Sequence, residues 1–255
     1  MLAGATTSVD QRFERNEGER QAMQIVLIPG LMNDGWVWRH QIGALSRIAP
    51  VSIACNDHST SLTDMAARIV DGSTGPIAVA GHSMGGRIAL EVWRRAPERI
   101  AGLALLDTGV HGPRDAEVPG RRRLVELARD EGMAAVAADW MPQMLAASRR
   151  GDQALIDGIT AMIARCTPDI FAAQQEAMIG RADLAPLLPR IGCPTLVSTG
   201  EEDGWSPPEQ HVAIAEAIPG ATLRIVAGGG HMLPVEMPEA VTDILVEWAA
   251  RVKAA

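Results

Sequence analysis

The sequence runs to 255 residues, 47% apolar and 21% charged, with 25 Gly and 16 Pro, the make-up of a globular protein folding as one domain with room for an insertion. At this length roughly 70 to 75% of the unfolded surface is buried on folding, so the core needs neither disulfide nor metal. The balance of 23 basic against 31 acidic residues, net −8, argues against nucleic acid and anionic membranes as partners, and an aromatic content of 3% without Tyr argues against a base-stacking platform. Cys55, Cys166 and Cys193 are odd in number and widely spaced, so neither a disulfide framework nor a metal site is expected. No run approaches the roughly 18 apolar residues of a membrane span. The first 23 residues lack the apolar core of a signal peptide, which makes the cytoplasm the expected address and membrane insertion unexpected.

In chain order, residues 1–23 hold a dense charged run, Arg12 to Arg20, without strand alternation, and read as a loose N-terminal arm. Short apolar runs follow at 24–28, 51–54, 77–80, 100–106, 195–199 and 222–226, several bounded by Gly or Pro. They are separated by helical patterns such as 62–70 and 87–95. Strands apolar on both faces and spaced by helices predict an α/β fold with a mostly parallel central sheet. The interval 110–190 breaks the rhythm: 120–130, 133–147, 154–165 and 170–179 read as Ala- and Met-rich helices with no strand among them. They predict a helical cap, or lid, inserted before the penultimate strand, over the sheet edge where ligands bind. The core then comprises 24–109 and 191–255.

The strand at 77–80 runs into Gly81-His82-Ser83-Met84-Gly85-Gly86 and then into a helix. This is G-x-S-x-G in its strand–turn–helix context, where glycines allow a strained serine backbone and close packing around it. The Ser83 hydroxyl is then exposed at a helix N-terminus, which favours developing negative charge. A serine needs a base, and the base an orienting acid. The glycine loop 227–230 ends in His231, the chosen base. The strand at 195–199 ends in Gly200-Glu201-Glu202-Asp203, and Asp203 is the chosen acid.

With these residues the chain resembles the α/β-hydrolase superfamily, whose triad follows the order Ser, acid, His found in Ser83, Asp203 and His231. The resemblance extends from Gln24 to Arg251 and includes Pro97-Glu98-Arg99-Ile100 and the run from Pro234 to Val241. It implies an oxyanion hole formed by the N–H of Met84 and one N–H from the loop Pro29-Gly30-Leu31-Met32-Asn33-Asp34, assigned to Leu31. The family often has His-Gly where this chain has Pro29-Gly30, and the two strands that usually precede Gln24 are not found in the arm.

The implied chemistry is acyl transfer from a small to medium carboxylic ester or lactone to water, with no cofactor and a small-molecule substrate as partner. The runner-up is a C–C hydrolase of a vinylogous diketone; from another class comes a slow-turnover ligand receptor. Met32, Trp140, Met144 and Trp205 are the candidate substrate-binding residues, with Trp36 and Trp38 on similar loop segments. Asp107, also at a strand end, is the alternative acid. His58 reads as a solvated loop residue, with the pocket as the alternative, and His82 as a residue that packs or orients the turn. Arg121, Arg122 and Arg123 read as a solvated helix face, the alternative being a site for an anionic substrate. The oligomeric state is left open.

Overall fold

The computed structural model describes residues 22–55 and 58–255; the arm expected over 1–23 lies outside these, apart from its last two residues. Six strands are described: β1 (Gln24–Ile28), β2 (Val51–Ile53), β3 (Ile77–His82), β4 (Ile100–Leu106), β5 (Thr195–Gly200) and β6 (Thr222–Val226). They form one sheet in the order β2-β1-β3-β4-β5-β6, parallel at every pairing among the described residues. β3 and β5 are buried along their whole length, which explains runs apolar on both faces. The edge strands β2 and β6 are partly exposed.

The helices are α1 (Ile42–Leu45), α2 (Leu62–Asp71), α3 (Met84–Arg95), α4 (Glu117–Glu131), α5 (Met133–Met144), α6 (Gln153–Arg165), α7 (Pro168–Ile179), α8 (Pro208–Ala217), α9 (Leu233–Glu236) and α10 (Pro238–Ala254). Right-handed crossovers set α2, α3 and α8 on one face of the sheet and α1 on the other, where the last helix, α10, joins it. Accordingly α2 packs on α3, and α1 on α10. α10 lies so close to β4 that a Cβ at Gly102 would meet Val252 at 2.3 Å.

All six strands fall where the apolar runs placed them, and α4 to α7 fill the strandless interval. The boundaries differ for identifiable reasons. α3 begins at Met84 instead of 87, because Gly85 and Gly86, poor helix formers in isolation, are fixed in the helix by tertiary packing. α4 begins at Glu117 instead of 120: Pro119 stands in its first turn, where a missing N–H costs nothing. α5 stops at Met144 instead of 147, because Leu145 is extended and the Met144 carbonyl and Ala146 N–H are taken by His231 and Glu236.

The strand order reverses between β1 and β3: the chain leaves β1 outward to β2, then returns to β3 on the other side. The loops after β1 and β3 therefore diverge and leave a crevice at the carboxyl ends of the strands. That crevice lies beside Ser83.

Candidate active site

Ser83 follows β3 with φ 55° and ψ −118°, a conformation few side-chain-bearing residues adopt. The surroundings over-determine it. A Cβ at Gly81 would lie 2.1 Å from the Gly85 carbonyl oxygen, and one at Gly85 2.1 Å from that of Ile28, so both positions require glycine. The Ser83 N–H donates to Leu106 O at 2.9 Å, and Thr108 Oγ1 donates to Ser83 O at 2.7 Å. The elbow is thus tied to β4 on both sides of its strained residue.

His231 Nε2 stands 2.9 Å from Ser83 Oγ, and its Nδ1 stands 2.9 Å from Asp203 Oδ2. A carboxylate only accepts, so Nδ1 carries the proton and Nε2 is left to accept from the serine hydroxyl. The other oxygen of Asp203 accepts the N–H groups of Trp205 and Ser206, each at 2.9 Å. Burial works against the charge of Asp203, yet His231 and these two N–H groups outweigh it and hold the carboxyl below its ordinary range. Asp203 is therefore a carboxylate with both oxygens engaged.

Asp107 occupies a different position. One oxygen accepts the Gly200 N–H at 3.1 Å; the other has no hydrogen-bond partner among the described residues and lies 3.6 Å from His82 Nε2. Full burial, then repulsion from Asp203, pushes its carboxyl well above the usual range. An acid kept neutral is unsuited to stabilising an imidazolium, and the Nδ1 of His231 is already taken by Asp203.

His82 is buried, and its Nε2 donates to His231 O at 2.7 Å. Burial, then His231, depresses its pKa to about 3, so the ring is neutral and orients the loop carrying His231. Trp38 packs edge-on to it at 6.4 Å. The His231 loop is also anchored from the helical insertion: His231 N–H donates to Met144 O at 2.8 Å, while Glu236 accepts from Ala146 N and Met232 N, each at 2.8 Å.

A cavity of about 330 Å³ opens on Ser83 and His231 and is also lined by Leu31, Met84, Trp140, Met144 and Trp205. Trp140 meets Trp205 edge to face at 4.5 Å, and Trp205 stacks obliquely on His231 at 5.6 Å. Met32 is buried and borders a separate cavity with Ile53, Met162 and Cys166, outside the lining of the Ser83 cavity. Its backbone is left-handed, with φ 52°, and its N–H donates to Gln174 Oε1 at 2.7 Å. Trp38 is enclosed in the core, and Trp36 packs on Gly158, so neither borders the Ser83 cavity. His58 is exposed.

The Arg121–Arg123 run divides. Arg122 and Arg123 are exposed, but Arg121 turns into the Ser83 cavity beside Arg87, Glu117 and Arg181. Sequence reasoning passed over those last three, since an isolated charged residue has no motif of its own. His211 was passed over too; buried, it accepts the Thr108 N–H at 2.9 Å and donates to Pro207 O at 3.2 Å, linking the loops after β4 and β5. Among the described residues no group of His, Cys, Asp and Glu is arranged to hold a metal ion, and no helix is long and apolar enough to cross a membrane.

The model of the alpha/beta hydrolase family matches residues 25–244, and the chain belongs to that family as a hydrolase. Among solved structures it resembles a thermophilic esterase from Thermogutta terrifontis, solved with malate bound, at 31% identity over 91% of this chain and 90% of that one, with a TM-score of 0.83. It also resembles the enol-lactonase from Burkholderia xenovorans LB400, at 27% identity over 91% and 94% of the two chains, with a TM-score of 0.80. A curated relative, the (E)-2-((N-methylformamido)methylene)succinate hydrolase of Acinetobacter baylyi, is 25% identical, and the match covers 92% of each chain.

Proposed function

We propose that this hydrolase is a serine esterase or lactonase acting on a small to medium carboxylic ester. The observation that carries the reading is the relay from Ser83 Oγ through His231 to Asp203, with both hydrogen bonds at 2.9 Å. His231 takes the hydroxyl proton as Ser83 attacks the carbonyl carbon, and Asp203 stabilises the imidazolium that forms. The oxyanion is received by the N–H groups of Leu31 and Met84, which border the cavity beside Ser83. Met84 opens α3, so its N–H is one of those that a helix leaves without an internal partner. His231 then gives its proton to the leaving alkoxide, and a second round with water releases the acid.

The esterase and enol-lactonase among the similar structures support an ester or lactone bond as the target. The helical insertion contributes Trp140 and Met144 to the cavity and acts as its lid, so substrate size is set there. A screen of purified protein against esters, lactones and vinylogous diketones tests the reading. Ester or lactone turnover that is abolished in Ser83→Ala is the expected result. Cleavage of diketones alone would move the assignment to C–C hydrolysis, and ligand binding without turnover of any class would overturn it.

A further inference from the structure

The cavity beside Ser83 is strongly cationic on one side. Arg87, Arg114, Arg121 and Arg181 line it against only two carboxyl groups, Glu117 and Asp107. Asp107 is pushed towards its neutral form by burial. Glu117 is already committed: it accepts from Arg181 at 2.8 and 3.0 Å, from Arg114 at 3.3 Å and from Arg121 at 3.4 Å. Burial opposes its charge, but these guanidinium groups prevail and bring its pKa down to about 2.

The four arginines are not equivalent. Arg181 is a structural brace, donating to His111 O, Met178 O, Gly112 O and Glu117. Arg114 is largely exposed. Arg87 donates one N–H to His111 O at 2.7 Å and forms no ion pair among the described residues. Burial, then the charges of Arg181 and Arg121, lowers its pKa to about 9. Arg121 gives Nη1 to Gln175 Oε1 at 2.8 Å, while its Nε is buried with no partner among the described residues. Gly109 keeps the space open: a Cβ there would lie 2.6 Å from Arg87 Nη2. Two guanidinium groups with donors to spare thus face a cavity whose own anion is taken.

Resting on the Ser83 hydrolase reading for the other end of the substrate, we propose that Arg87 and Arg121 form a carboxylate subsite, so that the preferred ester carries a free carboxylate remote from the scissile bond. A planar guanidinium fork matches the two oxygens of a carboxylate. A phosphate dianion would bring a second charge against Glu117 on the same wall. Arg87 stands in the first turn of α3, which opens directly after Ser83, and both residues line the same cavity. The half-ester of a short dicarboxylic acid presents an ester and a carboxylate to the two parts of this one cavity.

Monomethyl adipate and dimethyl adipate differ at the far end by one negative charge against one methyl group, and their kcat/KM ratio, counted per ester bond, is the readout. The wild-type protein is expected to favour the half-ester about ten- to a hundredfold. Arg87→Gln and Arg121→Gln should each bring the ratio towards one, chiefly through KM, whereas exposed Arg122→Gln should keep it. Thermal melting checks that each variant is folded, and Arg121, on the helical insertion, serves if Arg87→Gln fails that check. Titration of adipate and of inorganic phosphate into Ser83→Ala reads the subsite without turnover. Adipate binding that is lost in Arg87→Gln, with neither ester hydrolysed by the wild type, would uphold the subsite and reject the ester reading. Hydrolysis of both esters at equal kcat/KM, a ratio untouched by both substitutions, or binding of phosphate without adipate would overturn the subsite and leave the ester reading standing.

Discussion

Gln174, on α7 of the helical insertion, accepts the backbone N–H of Met32 at 2.7 Å, across 142 positions of sequence. Met32 directly follows Leu31, whose N–H is the proposed oxyanion donor, and its own backbone is left-handed, with φ 52°. A second tie joins the same loop to α6, where Arg165 Nε donates to Asp34 Oδ2 at 2.7 Å. The insertion therefore holds the loop that would receive the oxyanion, as well as enclosing the cavity.

Gln174→Leu removes the acceptor and leaves the Met32 N–H buried and unpaired, so the strained turn should relax and carry Leu31 out of line. Losing one oxyanion donor outright costs about a hundred- to a thousandfold in kcat; displacing it should cost about tenfold, with KM little changed. Steady-state kinetics on any accepted ester measure this, and a loss confined to KM would limit Gln174 to shaping the cavity.

Ser83→Ala should abolish turnover while leaving the melting temperature close to that of the wild type, because the hydroxyl points into the cavity and contributes little packing. Alanine retains the positive φ, so any change in stability should be small. Labelling by a serine-directed phosphonate, located by peptide mass spectrometry, is expected at Ser83 alone. A modified peptide elsewhere, or residual turnover near the wild-type rate, would remove Ser83 from the mechanism.

Asp203→Asn should lower kcat by on the order of a thousandfold or more, since an amide cannot stabilise the imidazolium and favours the wrong tautomer. Asp107→Asn should lower it far less, because the Asp107 carboxyl is held towards its neutral form and bonds to Gly200 instead of His231. Comparing the two kcat values decides between them, and the reverse ranking would transfer the role to Asp107.

Stability should fall on acidification, in a window set in part by His82. Its pKa is about 3 in the folded protein against 6.5 for the free side chain. Between these values the unfolded chain binds a proton that the native ring refuses, so unfolding gains as pH drops from about 6.5 towards 3. Each pH unit in that range should remove up to about 1.4 kcal/mol. Urea midpoints of the wild type and His82→Gln, taken from pH 6.5 to 4, should diverge in slope, the variant being flatter. Parallel slopes would mean that His82 can be protonated without unfolding.

The sheet was legible because each strand is a short apolar run, several of them bounded by Gly or Pro, and Ser83, His231 and Asp203 stood out as candidates because each follows such a strand. What escaped was decided across the fold. Gly85 and Gly86 look like helix breakers along the chain, yet they are required by Ile28 and Thr108. Arg121 looked like Arg122 and Arg123; only the packing of α4 on α7 turns it inward, onto Gln175. Met32 shares a loop with Leu31, yet it borders another cavity, formed with residues of β2 and α6. Arg87 belongs to a helix face whose neighbours come from the distant insertion, and no local pattern announces that.

Selectivity among acyl chains should reside in the insertion. Trp140, near the end of α5, stands edge-on to both Phe171 at 6.1 Å and Trp205 at 4.5 Å, and Trp205 in turn lies against His231. This row of rings connects α7, the wall of the cavity and the base. Met144, where α5 ends, borders the same cavity and gives its carbonyl to the His231 N–H. Trp140→Ala should enlarge the apolar wall, raising kcat/KM for longer acyl groups relative to acetyl, because the added chain fills the space the indole leaves. The gain should be of the order expected for one or two buried methylenes, roughly ten- to a hundredfold in the ratio. Met144→Ala should act in the same sense but less strongly, since the flexible thioether already adapts to its surroundings. The triad variants, by contrast, should depress the whole ester series together, as loss of an interaction made only in the transition state requires. Measuring kcat/KM across p-nitrophenyl acetate, butyrate, hexanoate and octanoate separates the two patterns. A uniform decline in Trp140→Ala would mean that the ring row serves to steady His231 and does not set chain length.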